Sequence, residues 1–468
     1  MSQPSSVLVM SGSDHNTLHD HLFPGDGLEA AAILLCSRVQ GRRLRLMVKS
    51  VHCVPHDECV RREDWVTWPG QHIEDCLTET EDDDLSLILV HSHPLGGSAF
   101  SETDDQSDSE LLDSLFLARR QGREGEMLHG SAIMLPNGWM RARVYNCNLQ
   151  PEMLNLVSVV GDELSCFWGD SPQGSIPMAF SEGMREQLKR LHAGVVGVSG
   201  TGSVVAEQLL RLGFGEITVV DHDVVEEKNL NRILNSTARD AAAASPKVEL
   251  FKRVVSGVSP GTRVNAVCQE VGTREAIQAL SAVDVLFCCV DTVTGRDICQ
   301  RLAISLLLPL LDVGVVIPVR KNCEGKTVIQ DIQGRIDYVQ PGGSTLQSRG
   351  VYTADDIAAE DLRKLDPERF SQRVEEGYMP GVSEEAPSVI SLNMRAASMA
   401  VQEFIARTFP YRLDGNRRYA RTMFALASEE TEYSNEDNFS PVRAERYAMG
   451  LSSPLLGLPI LEEIPCVA

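Results

Sequence analysis

The stretch Val195-Val196-Gly197-Val198-Ser199-Gly200-Thr201-Gly202-Ser203 constrains this chain more than any other. It follows a strand-like run and opens a segment whose apolar residues Val205, Leu209 and Leu212 share one helical face. Strand, glycine turn, helix and strand in that order form a βαβ unit, which commits the surrounding chain to a mainly parallel α/β sheet. Glycines there let the backbone approach an anion closely, and the N–H groups at the helix start favour negative charge. The spacing expected of a nicotinamide dinucleotide site, Gly-x-Gly-x-x-Gly, is not met: one register gives Gly197, Ser199, Gly202 and the other Gly200, Gly202, Val205.

One such sheet cannot account for 468 residues, a length that calls for two or three domains. With 43% hydrophobic and 23% charged residues, a packed globular core is expected. A net charge of -23 repels phosphate backbones and anionic lipid, so neither nucleic acid nor membrane is an expected partner. The N-terminus lacks the basic and apolar regions of a secretory signal, and no apolar run is long enough to span a bilayer, so a cytoplasmic location is expected. The 12 cysteines include no Cys-x-x-Cys pair, which argues against a disulfide framework.

Residues 28 to 54 read as two paired strands, Leu85 to Val90 as a third ending at His91, and Pro136-Asn137-Gly138 as a hairpin turn. Leu111, Leu112, Leu115 and Ala118 carry helical spacing between them. An α+β domain is therefore expected over residues 1–150, closing near Cys147, followed by a linker or leading helix over 151–180. The α/β domain is expected over 181–427. The stretch 428–468, with its Glu, Ser and Pro, reads as a tail without a core.

Within the first domain, His91-Ser92-His93-Pro94, six residues and Ser101-Glu102-Thr103-Asp104 bring two imidazoles and a carboxylate into one short loop. Side chains two apart at a strand end point the same way, so His91 and His93 can grip one ion, with Asp104 as third ligand and a fourth position left for water. Zinc in that setting lowers the pKa of water from 15.7 to about 7, which is a hydrolase design. Glu29 is the candidate general base. A His-x-His pair alone is as readily structural; with Pro94, Ser101, Asp104 and Glu29 in register the segment resembles the JAMM motif of JAB/MPN-family metalloproteases over roughly residues 5 to 147. That resemblance implies that Glu29 works through the metal's water and that Ser101 helps hold the oxyanion. It also implies cleavage of isopeptide bonds or of C-terminal extensions of ubiquitin-like proteins.

In the second domain the glycine loop is followed by Asp221 at a strand end, Asn229-Leu230-Asn231-Arg232, Pro246-Lys247, Val290-Asp291 and Arg296. Asp221 is placed to accept from a ribose hydroxyl, Arg232 and Lys247 supply charge for a triphosphate, and Asp291 can hold Mg2+. Singly, Asn229 and Arg232 could be a loop and a cap and Lys247 a solvated helix residue. In order and content the series resembles the ThiF/MoeB-like adenylation domain shared with ubiquitin-activating enzymes, over about residues 180 to 410, including Ala386-Pro387-Ser388-Val389-Ile390-Ser391-Leu392-Asn393 at the head of a helix. The resemblance implies an α/β multidomain chain, an N-terminal JAB/MPN domain followed by a Rossmann-like ThiF domain. It further implies that Gly197, Gly200, Gly202, Asp221, Asn229, Arg232, Lys247 and Asp291 bind ATP and Mg2+, with Arg232 and Asp291 catalytic.

Three departures from that pattern stand out. Pro341-Gly342-Gly343 is followed by Ser344-Thr345-Leu346-Gln347-Ser348 and not by a Cys-x-x-Cys pair, so the family's structural zinc is not expected. Residues 151 to 180 hold no Arg, which leaves Arg185 as the nearest stand-in for an arginine finger. Only Cys299, Cys323 and Cys466 follow Asp291; Cys299 reads as buried and Cys323 as a hairpin residue. The whole implies a bifunctional enzyme of a prokaryotic ubiquitin-like system, trimming or deconjugating a small ubiquitin-like or sulfur-carrier protein and adenylating its C-terminal glycine. A conjugating enzyme is a further partner, and a homodimer through the ThiF-type domain is implied by resemblance. The rival readings are processing of a carrier protein or peptide in cofactor or natural-product biosynthesis, and a scaffold with one decayed head.

Overall fold

The computed structural model describes residues 6–79, 85–119, 127–170, 176–321, 323–375, 389–442 and 445–462. Two large sheets organise them, one in each half of the chain, in the α/β multidomain arrangement expected. Among the described residues no helix is long and apolar enough to cross a membrane.

The first sheet has nine strands in the spatial order Leu164–Trp168, Leu156–Val160, Ser6–Ser11, Leu44–Cys53, Ala31–Val39, Ser86–Ser92, His129–Met134, Met140–Tyr145 and Pro151–Met153. Alternation of side chains splits its strands between two faces. Leu8, Met10, Ala32, Leu34, Ile88 and Val90 pack with Leu18 and Leu22 of the helix Gly12–Leu22. On the other face Ile33, Leu35, Leu87 and Leu89 pack with Ile73 and Cys76 of the helix Gln71–Glu79 and with Leu112 and Leu115 of the helix Glu102–Arg119. The expected hairpin at Pro136-Asn137-Gly138 joins the antiparallel pair His129–Met134 and Met140–Tyr145.

The second sheet runs Arg263–Val267, Glu216–Val220, His192–Val196, Val285–Cys288, Leu310–Val316, Gln333–Val339, Arg421–Ala425 and Glu430–Ser434. Its first five strands are parallel and the last three antiparallel. The helix Gly200–Leu212 is the crossover of the βαβ unit, closed by Gly213 at φ 99°, a left-handed cap that favours glycine.

Two expectations about organisation give way. Residues 151–168 are neither linker nor helix but three strands of the first sheet, and Leu156–Val160 pairs in parallel with Ser6–Ser11, Val7 opposite Leu156. Strands of three to five residues, the central one paired with a segment far away in sequence, leave no local periodicity to read. The stretch after 427 is not a coreless tail either. Glu430–Ser434 closes the second sheet, and Tyr447, Ala448, Leu455 and Leu456 are buried.

Those four residues belong to one apolar core that the two halves share, together with Val7, Val9, Met47, Leu156 and Trp168 of the first sheet and Leu188, Ala193, Leu286 and Leu306 of the second half. Polar contacts ring it: Arg42 meets Glu216 at 2.7 Å, Arg43 meets Asp284 at 2.6 Å, and Tyr338 donates to the carbonyl of Gly161 at 2.6 Å. The first half thus docks against the edge where the parallel strands begin, opposite the edge where they end, at which ligands bind in open α/β sheets.

Candidate metal centre and nucleotide site

His91 and His93 sit where the strand Ser86–Ser92 ends, and Asp104 lies in the first turn of the helix Glu102–Arg119. His91 Nε2 is 3.0 Å from His93 Nε2 and 3.1 Å from Asp104 Oδ1, and His93 Nε2 is 3.6 Å from Asp104 Oδ2. Four-coordinate zinc with bonds near 2.0–2.1 Å has ligand atoms about 3.3 Å apart, and the two nitrogens and the Asp104 carboxylate, which meets them through Oδ1 and Oδ2, lie in that range. The outer atoms are fixed as well: His93 Nδ1 lies 2.6 Å from the carbonyl of Gly97. Ser101 and Asp104 brace each other, the Ser101 amide donating to Asp104 Oδ2 at 2.6 Å and the Asp104 amide to Ser101 Oγ at 3.1 Å. Burial alone would raise the Asp104 carboxyl, but hydrogen bonds from His91 and His93 outweigh it and hold the group well below the usual carboxylate range.

Glu29 lies two residues before the strand Ala31–Val39, in which Ala31 is opposite His91. Ser92, between the two histidines, exchanges hydrogen bonds with Ala30: the Ser92 amide donates to the Ala30 carbonyl at 3.0 Å and the Ala30 amide to Ser92 Oγ at 2.9 Å. Glu29 is thereby held beside the imidazole pair. It is 5% exposed, and burial pushes its carboxyl from 4.5 up to about 7, partly offset by His93. A buried acid that titrates near neutrality can both take and return a proton. Two further histidines of this half contact each other: His52 Nε2 lies 3.1 Å from His72 Nδ1, and His72 Nε2 meets Glu58 at 3.0 Å.

Across the shared core, the glycine loop occupies the carboxyl edge of the parallel strands. Gly197 has φ +82°, and a Cβ there would lie 2.9 Å from the Cys289 carbonyl oxygen. A Cβ on Gly200 would sit 2.2 Å from Asn393 Nδ2, and one on Gly202 only 1.7 Å from the Gly197 carbonyl oxygen. Ser199, the N-cap of the helix Gly200–Leu212, makes no side-chain cap hydrogen bond, so that terminus suits an exogenous anion. Arg232 reaches the same loop, its Cδ 3.3 Å from the position of a Gly200 Cβ, and its guanidinium donates to the Lys228 carbonyl at 2.8 Å.

Asp221 is tied to the glycine loop. Its Oδ2 accepts the Val198 amide at 2.7 Å and its Oδ1 the Asp223 amide at 2.9 Å, which fixes the carboxylate beside the loop with acceptor capacity left on both oxygens. Burial raises its pKa against the opposing charge of Lys247. Lys247 is 4% exposed and pairs with Asp223 at 2.7 Å, with Asp221 at 3.8 Å. Asp223 is therefore part of the cluster. Asn229 is buried and accepts from the Glu226 amide at 3.0 Å, a structural cap in this geometry.

Asp291 is exposed and immediately precedes Thr292, the N-cap of the helix Val293–Leu306. Arg296 steadies it by donating to the Val290 carbonyl at 2.7 Å while pairing with the fully buried Asp312, which also takes Arg335 at 2.7 Å. Asp312 gave no sequence signal, since it lies inside an apolar strand. Arg185 is not brought to the loop: it packs on Gly213, at the opposite end of the Gly200–Leu212 helix and about 20 Å from the loop at 1.5 Å per residue. It cannot serve as an arginine finger in its own chain. Of the Ala386–Asn393 motif, Ala386, Pro387 and Ser388 lie outside the described residues, and Asn393 accepts from Thr201 Oγ1 at 3.3 Å.

A curled α+β sheet bearing a His–His–Asp triangle, joined to a mainly parallel α/β sheet bearing a glycine loop, defines a two-part protein with a metal-type and a nucleotide-type site. Residues 13–144 match the model for prokaryotic homologs of the JAB domain. Residues 173–434, more than half of the chain, match that of the ThiF family, and the chain belongs to that family. It is similar to ubiquitin-like modifier-activating enzyme 5 of Culex quinquefasciatus, 29% identical over 34% of this chain and 39% of that one. It is also similar to the sulfur carrier protein adenylyltransferase of Thermus thermophilus, 30% identical over 29% of this chain and 49% of that one. The chain thus spans less than half the length of either relative. The crystal structure of E. coli MccB with succinimide aligns at a TM-score of 0.43 and 14% identity over 56% of this chain and 68% of that one.

Proposed function

We propose that this chain is a bifunctional enzyme acting on the C-terminus of a small ubiquitin-like or sulfur-carrier protein, first as a zinc-dependent peptidase or isopeptidase and then as an ATP-dependent adenylyltransferase. The reading is carried by one observation: His91, His93 and Asp104, grouped closely enough to hold one metal ion, stand beside a buried Glu29 in a chain of the ThiF family.

In the first half His91, His93 and Asp104 hold the ion, and a bound zinc supplies a Lewis acid that makes water nucleophilic near pH 7. With the ion in place Glu29 would be the group that accepts a proton from the attacking water and returns one to the departing amine, and the Ser101 hydroxyl would donate to the developing oxyanion. In the second half the C-terminal glycine carboxylate attacks the α-phosphorus of ATP, giving an acyl adenylate and pyrophosphate. The loop Gly197–Gly202 receives the phosphates, Arg232 and Lys247 offset their charge, and Asp291 holds Mg2+. Asp221 and Asn229 complete the nucleotide-binding set, Asp221 accepting from a ribose hydroxyl. The names of the ubiquitin-like and sulfur-carrier relatives support the substrate class. A homodimer through the second half, a conjugating enzyme as further partner and a place in the cytoplasm of a prokaryote complete the proposal.

A coupled assay tests it. With a ubiquitin-like protein ending in a free glycine, the enzyme exchanges labelled pyrophosphate into ATP. With the same protein carrying a short C-terminal extension, exchange requires trimming, so chelation or Glu29→Gln stops it while leaving exchange with the free form intact. Exchange without any protein, or with the extended form in the Glu29→Gln variant, defeats the reading.

A further inference from the structure

We propose that Arg61 is a positioning residue for Glu29, an inference that rests on the reading of Glu29 as the proton-transfer group of a zinc hydrolase. The segment Pro24-Gly25-Asp26-Gly27-Leu28-Glu29 that carries this acid has little packing of its own. Gly25 and Gly27 have φ of +96° and +73°, and a Cβ on either would meet nothing within 4 Å. Downstream, Ala30 is tied to Ser92 and so to the strand of His91. Upstream, the segment depends on the hairpin formed by Val60–Arg61 and Val66–Thr67.

Arg61 grips the segment at three residues. Its Nε donates to the Glu29 carbonyl at 2.8 Å and its Nη2 to the Leu28 carbonyl at 3.1 Å. Its Nη1 and Nη2 fork onto the Asp26 carboxylate at 2.7 and 3.1 Å. The next residue completes the clamp, because the Glu29 amide donates to the Arg62 carbonyl at 2.7 Å. Both backbone polar groups of Glu29 are therefore taken by Arg61 and Arg62, and the Arg61 side chain is only 8% exposed. A planar guanidinium can reach all these acceptors at once, whereas a lysine ammonium on a flexible stem cannot reproduce the fork. Nothing in the clamp touches the metal ligands, so its loss displaces Glu29 without removing a ligand. Partners of this outer kind are worth about 10- to 100-fold in activity.

The test uses the full zinc-loaded chain and, as probe, a β-grasp ubiquitin-like protein whose C-terminal Gly-Gly carries an aminomethylcoumarin amide. Arg61→Ala lowers kcat about 10- to 100-fold with KM within about twofold and zinc content unchanged, and Arg61→Lys fails to restore kcat. Asp26→Asn, a milder change at the exposed end of the fork, gives a smaller loss of the same kind. In a Glu29→Gln background Arg61→Ala adds less than about a twofold further loss, because the two residues act as one unit. Independently of any substrate, amide hydrogen exchange at Glu29 and Ala30 accelerates in Arg61→Ala. Unchanged exchange there overturns the inference, as does a loss of equal factor with and without Glu29, or full kcat in Arg61→Ala. Full hydrolysis by Glu29→Gln instead removes the reading of Glu29 itself.

Discussion

Arg43 and Asp284 form an ion pair at 2.6 Å across the boundary between the two halves, with side chains only 5% and 11% exposed. The same carboxylate accepts the His192 amide at 2.9 Å, so it stitches the first half to the opening residue of a central parallel strand. Removing one member of a buried pair leaves the other charge uncompensated, at about 3–5 kcal/mol. Arg43→Ala is therefore expected to lower the unfolding midpoint of the whole chain. Calorimetry of the wild type should show one cooperative transition, since the halves share a core. Two resolved transitions, with Arg43→Ala moving neither, would contradict this.

His192 gives the chain an acid sensitivity of definite sign. It is 4% exposed, its Nε2 lies 2.8 Å from the Thr218 hydroxyl, and burial pushes its pKa from 6.5 down to about 4. The unfolded chain therefore binds a proton between about pH 6.5 and pH 4 that the folded chain refuses, so stability falls as pH drops through that window. The shift corresponds to roughly 3 kcal/mol at full effect, at 1.36 kcal/mol per unit. Denaturant midpoints at pH 7 and pH 4.5 should differ less in His192→Gln than in wild type. Equal pH slopes in the two proteins would remove the assignment.

At the metal centre, one zinc per chain is expected, lost in His91→Ala and kept in Glu29→Gln. Glu29→Gln should nonetheless lower hydrolysis about 10²- to 10⁴-fold, the usual worth of positioned acid–base catalysis. Metal analysis giving a second zinc that survives His91→Ala would place a site in the second half that the Ser344–Ser348 segment does not suggest.

What the sequence displayed was chemistry packed into short segments. His91, His93, Ser101 and Asp104 fall within fourteen residues, and the structure brings the first, second and fourth into one triangle. The loop Gly197–Gly202 was equally legible, because Gly197 and Gly202 answer to close approaches of backbone and Gly200 to the Asn393 side chain. Long-range pairing was not. Arg61 reaches Glu29 across an intervening pair of strands, and Val7 finds Leu156 with no periodic pattern near either. Asp312 was hidden because an acid in an apolar strand looks like an interruption until Arg296 and Arg335 are seen closing on it. Tyr447, whose hydroxyl donates to Asp14 at 2.8 Å, was hidden by a polar neighbourhood that reads as tail.

For the nucleotide site, Asp291→Ala and Arg232→Ala should each lower pyrophosphate exchange by orders of magnitude, since both act on developing phosphate charge. Gly202→Ala tests the loop without touching charge: its methyl would overlap the Gly197 carbonyl oxygen, which is backbone and cannot swing aside. ATP binding measured by calorimetry should be lost in Gly202→Ala and retained in Gly257→Ala, where a Cβ meets nothing within 4 Å. Comparable ATP affinity in both variants would move the nucleotide elsewhere.

The fate of the adenylate turns on the cysteines. Cys299 is fully buried, and hydrogen bonding with Cys288 together with burial raises its pKa far above the ordinary thiol value, so it is a poor nucleophile. Cys289 is raised in the same direction by burial. Cys323 is exposed, as expected of a hairpin residue, and so is Cys268, which precedes Asp291 and was passed over in the sequence. Cys268 follows the strand Arg263–Val267 and lies 3.9 Å from the His222 carbonyl, at the same carboxyl edge as the glycine loop. Cys466 lies outside the described residues. Cys323 has Arg320, Lys321 and Lys326 close in sequence, but a hairpin tip offers no fixed base, so the adenylate is expected to pass to a separate sulfur donor or carrier without an internal thioester. Non-reducing gels with ATP and the ubiquitin-like partner should then show no thiol-sensitive adduct in wild type. An adduct that disappears in Cys323→Ala or in Cys268→Ser would overturn this expectation and name the transfer cysteine by which variant abolishes it.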